Sequence, residues 1–350
     1  MPSSFTTFVA AGVVAIAIAG GSQTPKVVML PALPDARGFA GAFAGVASGH
    51  LLAGGGANFP DGVMPWNGGT KVWHDRVFAL DLRGDNAAWH QVGRLPAPNG
   101  YGVSLTIAEG VLIVGGGDAS RHFVDVWLMT FDDGQLRFRA MPPLPQPLAQ
   151  MAGAAIGRHV HIAGGIDKPD ATEAASRHWM IDLDRLGAGW KAMPPLPAAG
   201  RILAASAGVG GAFYLAGGCS LAADPSGHAA RTYLRDVWRF SNGRWTRQAD
   251  LPRPLAAAGS PLPSDGRGFL IVSGDDGTQS GLAVPERHKG FAREILRYDA
   301  ARNIWHDAGR LDVPPPVTLP IVPWRDGFIF VNGEVRPGVR TAQVFFLTLR

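Results

Sequence analysis

The chain has 350 residues, of which 46% are hydrophobic, and this is ample apolar material for a core. Its net charge of +4 has no run of Lys or Arg behind it, so a nucleic-acid-binding patch is not indicated. The only cysteine, Cys219, excludes an internal disulfide framework and any multi-cysteine metal site, and a buried, inert thiol is expected there. The 47 Gly and 28 Pro residues follow no collagen-like period and favour a turn-rich, all-β chain.

The N-terminus contains the apolar stretch FVAAGVVAIAIAGG at 8–21, which is too short to span a bilayer comfortably. It resembles the apolar region of a secretory signal, with Ala17-Ile18-Ala19 as a small-residue cleavage site, although the usual preceding basic residues are missing. The alternatives are an ill-ordered tail and an uncleaved anchor. We therefore separate residues 1–24 from the fold. We expect export to a bacterial-type periplasm if the segment is a signal and a cytoplasmic location otherwise.

Beyond residue 24, an apolar run that ends in a glycine pair or its variant recurs six times, at intervals of roughly 50–60 residues. The copies are HLLAGGG (50–56), VLIVGGG (111–117), VHIAGG (160–165), FYLAGG (213–218), FLIVSGD (269–275) and FIFVNGE (328–334). A second apolar segment follows each copy, and an aromatic residue leading to Leu or Leu-Pro follows in five units, as from Trp89 to Leu95-Pro96. Small residues precede the glycine run, as in ILAASAGV. Each unit therefore predicts four short strands.

Four-stranded units at this period indicate a kelch-type β-propeller, and six units predict six blades. The sixth unit stops at FFLTLR and lacks a fourth strand, whereas the N-terminal KVVMLPALP (26–34) has the apolar stretch and Leu-Pro of a fourth strand. The N-terminal strand is therefore expected to complete the last blade and close the ring, which removes open sheet edges. The predicted propeller is one domain that covers residues 25–350, with no stable membrane insertion.

Because strands alternate in direction within a blade, the loops after the second strands share one face with the linkers between blades. The loops at 56–76, 219–235 and 275–293 are the long ones of this set. The charged stretch NGEVRPGVRT (332–341) begins where the last second strand ends, so Glu334 is expected near the axis. Ligand sites favour such convergent loops.

Two motifs carry a family resemblance. GGGANFPDGVMPWNGGTKVWHD (54–75) and NGEVRPGVRT resemble the cyclically permuted mutarotase group of kelch proteins, which is similar to bacterial N-acetylneuraminate epimerase. The resemblance covers about residues 27–350, and it places the epimerase's Glu and Arg on Glu334 and Arg340. The chain departs from the epimerase at Asn99, where that family has an Arg, and at Ser260, where it has a His. These departures leave the exact sugar open.

The resemblance implies an isomerase that interconverts anomers of N-acetylneuraminate or a related sugar acid by acid/base ring opening. Glu334 would be the acid/base, and Arg340 would bind the substrate carboxylate through its planar guanidinium. Neither a cofactor nor a metal is expected. The further substrate-binding candidates are Arg201, Arg37, Asn99, His74, His288 and Asn58.

Structural interpretations stand beside each assignment. Glu334 can simply pair with Arg340 or Arg336, Arg37 and Arg201 can form ion pairs between blades, and the remaining candidates can pack or hydrogen-bond within loops. Asp275 and Asp276 follow a strand end, where turn-making is their commoner use. At the level of the whole protein, the alternative is a non-catalytic kelch module that binds a glycan or a protein. A copper radical oxidase is disfavoured because the chain has one Cys, four Tyr and no His pair with ligand-like spacing.

Overall fold

Six β-sheets stand side by side around a central axis in the computed structural model, which describes residues 25–84 and 87–348. The strands are as follows. The N-terminal strand is β1 (Val27–Leu30). Blade 1 has β2 (Phe43–Ala47), β3 (His50–Gly54), β6 (Arg76–Asp81) and β7 (Trp89–Arg94), with the short β4 (Ala57–Asn58) and β5 (Val72–Trp73) between them. Blade 2 has β8 (Val103–Ile107), β9 (Gly110–Val114), β10 (Val126–Asp132) and β11 (Gln135–Ala140). Blade 3 has β12 (Ala152–Ile156), β13 (His159–Ala163), β14 (His178–Asp182) and β15 (Lys191–Met193).

The second half of the chain repeats this arrangement. Blade 4 has β16 (Ala205–Val209), β17 (Ala212–Ala216), β20 (Val237–Ser241) and β21 (Arg244–Gln248), with β18 (Cys219–Ala223) and β19 (Ala229–Tyr233) between them. Blade 5 has β22 (Gly268–Ile271), β23 (Glu294–Asp299) and β24 (Ile304–Arg310). Blade 6 has β25 (Ile321–Trp324), β26 (Gly327–Val331) and β29 (Val344–Thr348), with β27 (Glu334–Arg336) and β28 (Val339–Arg340) between them. Three short 3₁₀ turns lie at Pro65–Asn67, Leu186–Ala188 and Pro285–Arg287.

The predicted six-bladed propeller and its closure are confirmed. β1 pairs antiparallel with β29, in register from Val27 opposite Leu347 to Leu30 opposite Val344, so the N-terminal strand completes blade 6. Blade 5 differs from the four-stranded pattern because its innermost segment, residues 257–264, forms only isolated bridges such as Ser264 to Phe269. The proposed signal segment, residues 1–24, lies outside the described residues, and no helix within them is long and apolar enough to cross a membrane.

The hydrophobic core lies between blades rather than within one central mass. Six apolar clusters each fill one of the six interfaces between neighbouring blades. The repeated Trp has a defined role there, since its indole N–H donates to a carbonyl at the outer edge of the preceding blade. The four examples are Trp89 to Pro31, Trp190 to Pro142, Trp245 to Pro194 and Trp305 to Ala249. The repeated Trp in the sequence therefore marks a hydrogen bond between neighbouring blades.

A closed ring of backbone hydrogen bonds surrounds the axis, and we call it the axial ring. One residue per blade has a left-handed backbone, with φ between 55° and 64°, and donates its N–H to the carbonyl of its counterpart in the preceding blade at 2.6–3.0 Å. The six members are Gly41, Tyr101, Gln150, Leu203, Ala257 and Thr318. Left-handed backbone costs a non-glycine residue roughly 1 kcal/mol, and the bonds of the ring offset that cost.

Candidate functional site

A cavity of about 780 Å³ opens on the face formed by the linkers between blades and the loops after the second strands. Five of the six axial-ring residues line its floor, all but Gly41. The long loops of blades 1, 4 and 5 and the NGEVRPGVRT loop of blade 6 form its walls. The predicted convergence of loops therefore produces a concave site at the axis, lined by charged, aromatic and apolar side chains.

The position after each glycine pair is equivalent in all six blades. At each one, the backbone forms an antiparallel bridge with the residue that precedes the axial-ring member. The bridges join Ala40 to Ala57, Gly100 to Gly117, Ala149 to Ile166, Ile202 to Cys219, Ala256 to Asp275 and Val317 to Glu334. We call the second residue of each pair the axial position of its blade.

In four blades a cross-strand partner extends the cavity wall above the axial position. Ala57 lies opposite Trp73, Gly117 opposite His122, Cys219 opposite Tyr233 and Glu334 opposite Arg340. All four partner side chains line the cavity. The pairing opposite each axial position thus determines which side chains of these loops line the cavity.

Glu334 and Arg340 lie side by side in this wall. The Arg340 Nη1 is 3.3 Å from Glu334 Oε2, and the two side chains are 6% and 19% exposed, respectively. Glu334 Oε1 also accepts a hydrogen bond from the Gly338 N–H at 3.2 Å. Burial raises the pKa of Glu334 above its ordinary value and outweighs the nearby positive charge of Arg340, which acts in the opposite direction. The sequence left an ion pair and a place in the ligand site as alternatives for Glu334 and Arg340. The two residues have both, because they pair with each other in the cavity wall.

Arg340 retains hydrogen-bonding capacity. Its contact with Glu334 brings opposite charges together without hydrogen-bond alignment, so the buried Nε and Nη1 donors have no hydrogen-bond partner. The guanidinium lies 4.7 Å from the centre of the Phe59 ring. Buried donors without partners are costly, and an acceptor on a bound ligand would satisfy them.

Lys71 is a second cation at the cavity. Its Nζ lies 4.1 Å from the Tyr101 ring centre and 4.6 Å from the Trp73 ring centre, so two aromatic faces hold the ammonium in place. Both Lys71 and Arg231 contribute positive charge at Glu334. At the mouth, the Trp66 indole N–H donates to Glu286, which joins the loops of blades 1 and 5.

Arg201 and Asn99 do not line the cavity. Both stand two residues before an axial-ring member, where other blades have the buried Phe39, Leu148 and Leu255. This position faces the interior of the blades. The Arg201 guanidinium, 1% exposed, forms two hydrogen bonds with the Asp236 carboxylate at 2.7 and 2.9 Å. The Asn99 amide donates to the Gly115 carbonyl at 3.0 Å. Their placement favours the structural interpretations.

His74, Asn58 and Arg37 also lie away from the cavity lining. His74 Nε2 contacts Asn58 Oδ1 at 2.8 Å, and the Asn58 amide donates to the Gly38 carbonyl at 3.0 Å. Burial lowers the pKa of His74. Arg37 is exposed and packs beside Gly62. These contacts stabilise the base of the long blade 1 loop. His74 and Asn58 have the packing and hydrogen-bonding roles that the sequence allowed, whereas Arg37, for which an ion pair between blades was the alternative, packs against this loop.

His288 does line the cavity, and it is only 4% exposed. Its Nδ1 accepts a hydrogen bond from the Gly290 N–H at 3.0 Å, which leaves Nε2 as the protonated nitrogen. Ser260, the position of the second departure from the epimerases, lines a small pocket of about 70 Å³ that the axial ring also lines, and it contacts Ser206 Oγ at 3.1 Å.

Sequence reasoning did not select Lys71, Tyr101, Arg231 or Tyr233, all of which line the cavity. Asp275 was weighed as a functional residue, but turn-making was preferred for it, although it lines the cavity. The available signal was the axial position: counting one residue past each glycine pair gives Asp275 as directly as Glu334. Within the described residues, no group of three or more His, Cys, Asp or Glu side chains is arranged to hold a metal ion.

Cys219 is completely buried, as predicted. Burial raises the pKa of its thiol to about 11, so the unreactive thiol form predominates at neutral pH.

Comparison with known proteins identifies relatives of part of the chain. Residues 19–138 match the family model of N-acetylneuraminate epimerase, which confirms the predicted resemblance over that segment. An N-acetylneuraminate epimerase of Haemophilus influenzae (strain PittEE) is 35% identical over 133 residues, which are 33% of this chain and 34% of the relative. An epimerase of Salmonella enteritidis is 36% identical over 115 residues, which are 30% of this chain and 29% of the relative. The chain thus matches about a third of the length of these relatives.

The solved structure of YjhT matches over 91% of this chain and 97% of its own length, with a TM-score of 0.65 and 16% identity. At that identity the likeness establishes the shared fold alone. Glu334 and Arg340 lie outside residues 19–138, so their roles depend on the geometry of the cavity.

Proposed function

From the match of residues 19–138 to the N-acetylneuraminate epimerase family, we propose that this chain is an isomerase. It would interconvert the anomers of N-acetylneuraminate or a related sugar acid by opening and closing the sugar ring. The observation that supports this proposal best is the pairing of Glu334 with the incompletely hydrogen-bonded Arg340 in the axial cavity.

Arg340 has the properties of an anion-binding residue. Its side chain is 6% exposed and its Nε and Nη1 donors are free, so a ligand carboxylate would supply the missing acceptors. Charge-assisted bonds to a guanidinium are strong in such a shielded place. Lys71, held between two aromatic rings, adds a second positive charge. A sugar that carries a carboxylate fits this arrangement better than a neutral sugar does.

Glu334 has the properties of an acid/base group. Ring opening removes a proton from the anomeric hydroxyl and adds one to the ring oxygen. A carboxyl whose pKa is raised by burial holds and releases a proton closer to neutral pH than an exposed one does. Arg340 next to it limits that rise.

The test is anomeric exchange measured by NMR. Freshly released α-N-acetylneuraminate is followed with the wild type, Glu334→Gln and Arg340→Ala, and Arg336→Ala is the control because Arg336 is exposed and does not line the cavity. We expect acceleration over buffer by the wild type and the control, a loss of about 100-fold or more in kcat for Glu334→Gln, and a raised KM for Arg340→Ala. No acceleration by the wild type would show that the sugar is wrong. Tight binding of the sugar without exchange would instead support the alternative, a non-catalytic glycan-binding propeller.

We also propose export, on the basis of the apolar segment at 8–21 and the Ala-Ile-Ala site that ends at residue 19. N-terminal sequencing of the protein recovered from a bacterial periplasmic fraction would show a new terminus near residue 20. An intact Met1 in the cytoplasmic fraction would contradict the proposal.

A further inference from the structure

Two of the six axial positions carry a carboxyl group. The other four hold Ala57, Gly117, Ile166 and Cys219, whereas blades 5 and 6 hold Asp275 and Glu334. In these two blades the position is fixed in the same way, by backbone hydrogen bonds of 2.8–2.9 Å to the residue before the axial ring. Both side chains line the cavity. The fold therefore presents two carboxyl groups to one ligand space from neighbouring blades, on equally rigid backbone.

Asp275 is held by donors on two sides. The Tyr233 hydroxyl donates to Oδ2 at 2.7 Å, and the Gly277 N–H donates to Oδ1 at 3.0 Å. Tyr233 comes from blade 4, where it lies opposite the axial residue Cys219, so this hydrogen bond joins adjacent blades across the cavity wall. Burial and the neighbouring carboxylate both raise the pKa of Tyr233, which keeps its hydroxyl protonated as a donor.

The two carboxyl groups have different hydrogen-bond partners. Both oxygens of Asp275 accept a hydrogen bond, one from a hydroxyl and one from a backbone N–H. Glu334 has one backbone donor, at 3.2 Å, and burial favours its neutral form. Acid/base catalysis of ring opening requires one group that accepts a proton and one that donates it, and this unequal pair of neighbouring carboxyl groups offers both.

We propose that Asp275 is the second acid/base group of the site, positioned by Tyr233, and that it acts together with Glu334. This proposal rests on the proposed mutarotase function. The Asp275 carboxylate takes the proton of the anomeric hydroxyl, and that O–H electron pair forms the carbonyl. The bond between the anomeric carbon and the ring oxygen breaks, and the ring oxygen takes a proton from the Glu334 carboxylic acid. When the ring closes on the other face of the carbonyl, both transfers reverse, so each residue returns to its starting state.

The experiment compares kcat and KM for anomeric exchange in Asp275→Asn, Asp275→Ala and the matched control Asp276→Asn. Asp276 is the adjacent carboxylate, but it bonds only to Thr278 among the described contacts and does not line the cavity. We expect kcat of Asp275→Asn to fall by about 100-fold or more, KM to change less than about threefold, and the control to match the wild type. Added formate, a small carboxylate, should restore part of the activity of Asp275→Ala.

The pH profile separates chemistry from a structural role. A mechanism with one proton acceptor and one proton donor gives kcat a bell-shaped pH profile, with an acid limb and an alkaline limb. The acid limb should disappear in Asp275→Asn, and the alkaline limb should disappear in Glu334→Gln. Retention of the acid limb, or failure of formate to restore activity, would overturn the proposal. So would a kcat of Asp275→Asn within threefold of the wild type.

Tyr233→Phe keeps the carboxylate and removes one of its hydrogen bonds, so it decides the question if Asp275→Asn does not fold. The acid limb of the kcat profile should then shift, because the proton-accepting carboxylate has lost one of its two hydrogen bonds. An unmoved limb would overturn the proposal. If the wild type has no exchange activity, the mutarotase function is wrong and this proposal fails with it. If the wild type is active and depends on Glu334 but not on Asp275, only the role of Asp275 is wrong.

Discussion

The substitution Asp236→Asn tests whether Arg201 is part of the framework or of the site. The Arg201 side chain is 1% exposed, and both oxygens of Asp236 accept its hydrogen bonds. The Trp238 indole N–H also donates to Asp236, at 2.6 Å. Removing the negative charge leaves a buried guanidinium without its counter-ion, and breaking such a pair costs about 3–5 kcal/mol. Because the Asp236 side chain is 15% exposed, we expect the lower end, about 3 kcal/mol.

The assay is urea unfolding followed by tryptophan fluorescence, with Glu294→Gln as the control. Glu294 pairs with Arg310, but those side chains are 49% and 62% exposed. Exposed pairs contribute about 1 kcal/mol or less. The free energy of unfolding should therefore fall several times further for Asp236→Asn than for the control.

Activity under conditions where Asp236→Asn remains folded completes the test. A framework role predicts kcat and KM close to those of the wild type. The reasoning is refuted if the variant unfolds like the wild type while its KM for the sugar rises, because Arg201 would then act on the ligand.

Three further predictions concern stability and reactivity. The buried His161 and His178, in contact at 2.9 Å, have pKa values lowered to about 4 and about 3, mainly by burial. Since the unfolded chain takes up these protons near pH 6.5, stability is full above that pH and is lost as pH falls toward 4. From pH 7.5 to 5 the loss in the free energy of unfolding is about 2 kcal/mol per histidine. Urea unfolding of the double variant His161→Phe/His178→Phe should lack this loss for both histidines, and a loss equal to that of the wild type contradicts the assignment. Gly38→Ala, with φ +64° and a Cβ 1.9 Å from the Thr341 carbonyl oxygen, should destabilise the protein far more than Gly134→Ala, which has φ +74° and open space around it; the denaturation midpoints measure the difference, and equal midpoints would show that the backbone at Gly38 relaxes. Cys219 should react with a thiol reagent at neutral pH only after unfolding, and rapid labelling of the native protein would show that the cavity opens to the thiol.

The blade count was predictable because the repeat is imposed by backbone geometry. Both glycines of most pairs have positive φ, for example Gly115 at 57° and Gly116 at 96°. Side chains are strained there, so the glycines mark the second strand of each blade in the sequence. Closure by the N-terminal strand was predictable because each complete unit has the same four segments. The missing first strand of blade 5 was not predicted, although Pro261 and Pro263 in residues 257–264 lack the N–H groups that a strand ladder uses.

The candidate site was predictable only in part. Glu334 and Arg340 were found together because a family motif contains both. Arg201 and Asn99 were selected because they lie in the linkers between blades, on the face that was expected to bind the ligand. Their side chains point into the blades instead. A shift of one or two positions along the linker decides whether a side chain faces the cavity or the blade interior, and residue type alone does not reveal which. Lys71 and Tyr233 were missed because Lys71 lies next to a short ribbon and Tyr233 lies in one, and the cross-strand register of these ribbons emerges only in three dimensions.

The axial ring also restricts how the cavity can recognise charge. Its six N–H···O=C units follow one another head to tail around a circle, so their in-plane dipoles cancel. Every backbone N–H in the ring is already used, so the ring offers no backbone amide donors to an anion, in contrast to the N-terminus of a helix. Selectivity for a charged ligand must therefore reside in side chains, such as those of Lys71 and Arg340 in the walls. New specificities could arise by exchange of loops alone, while the same floor is kept.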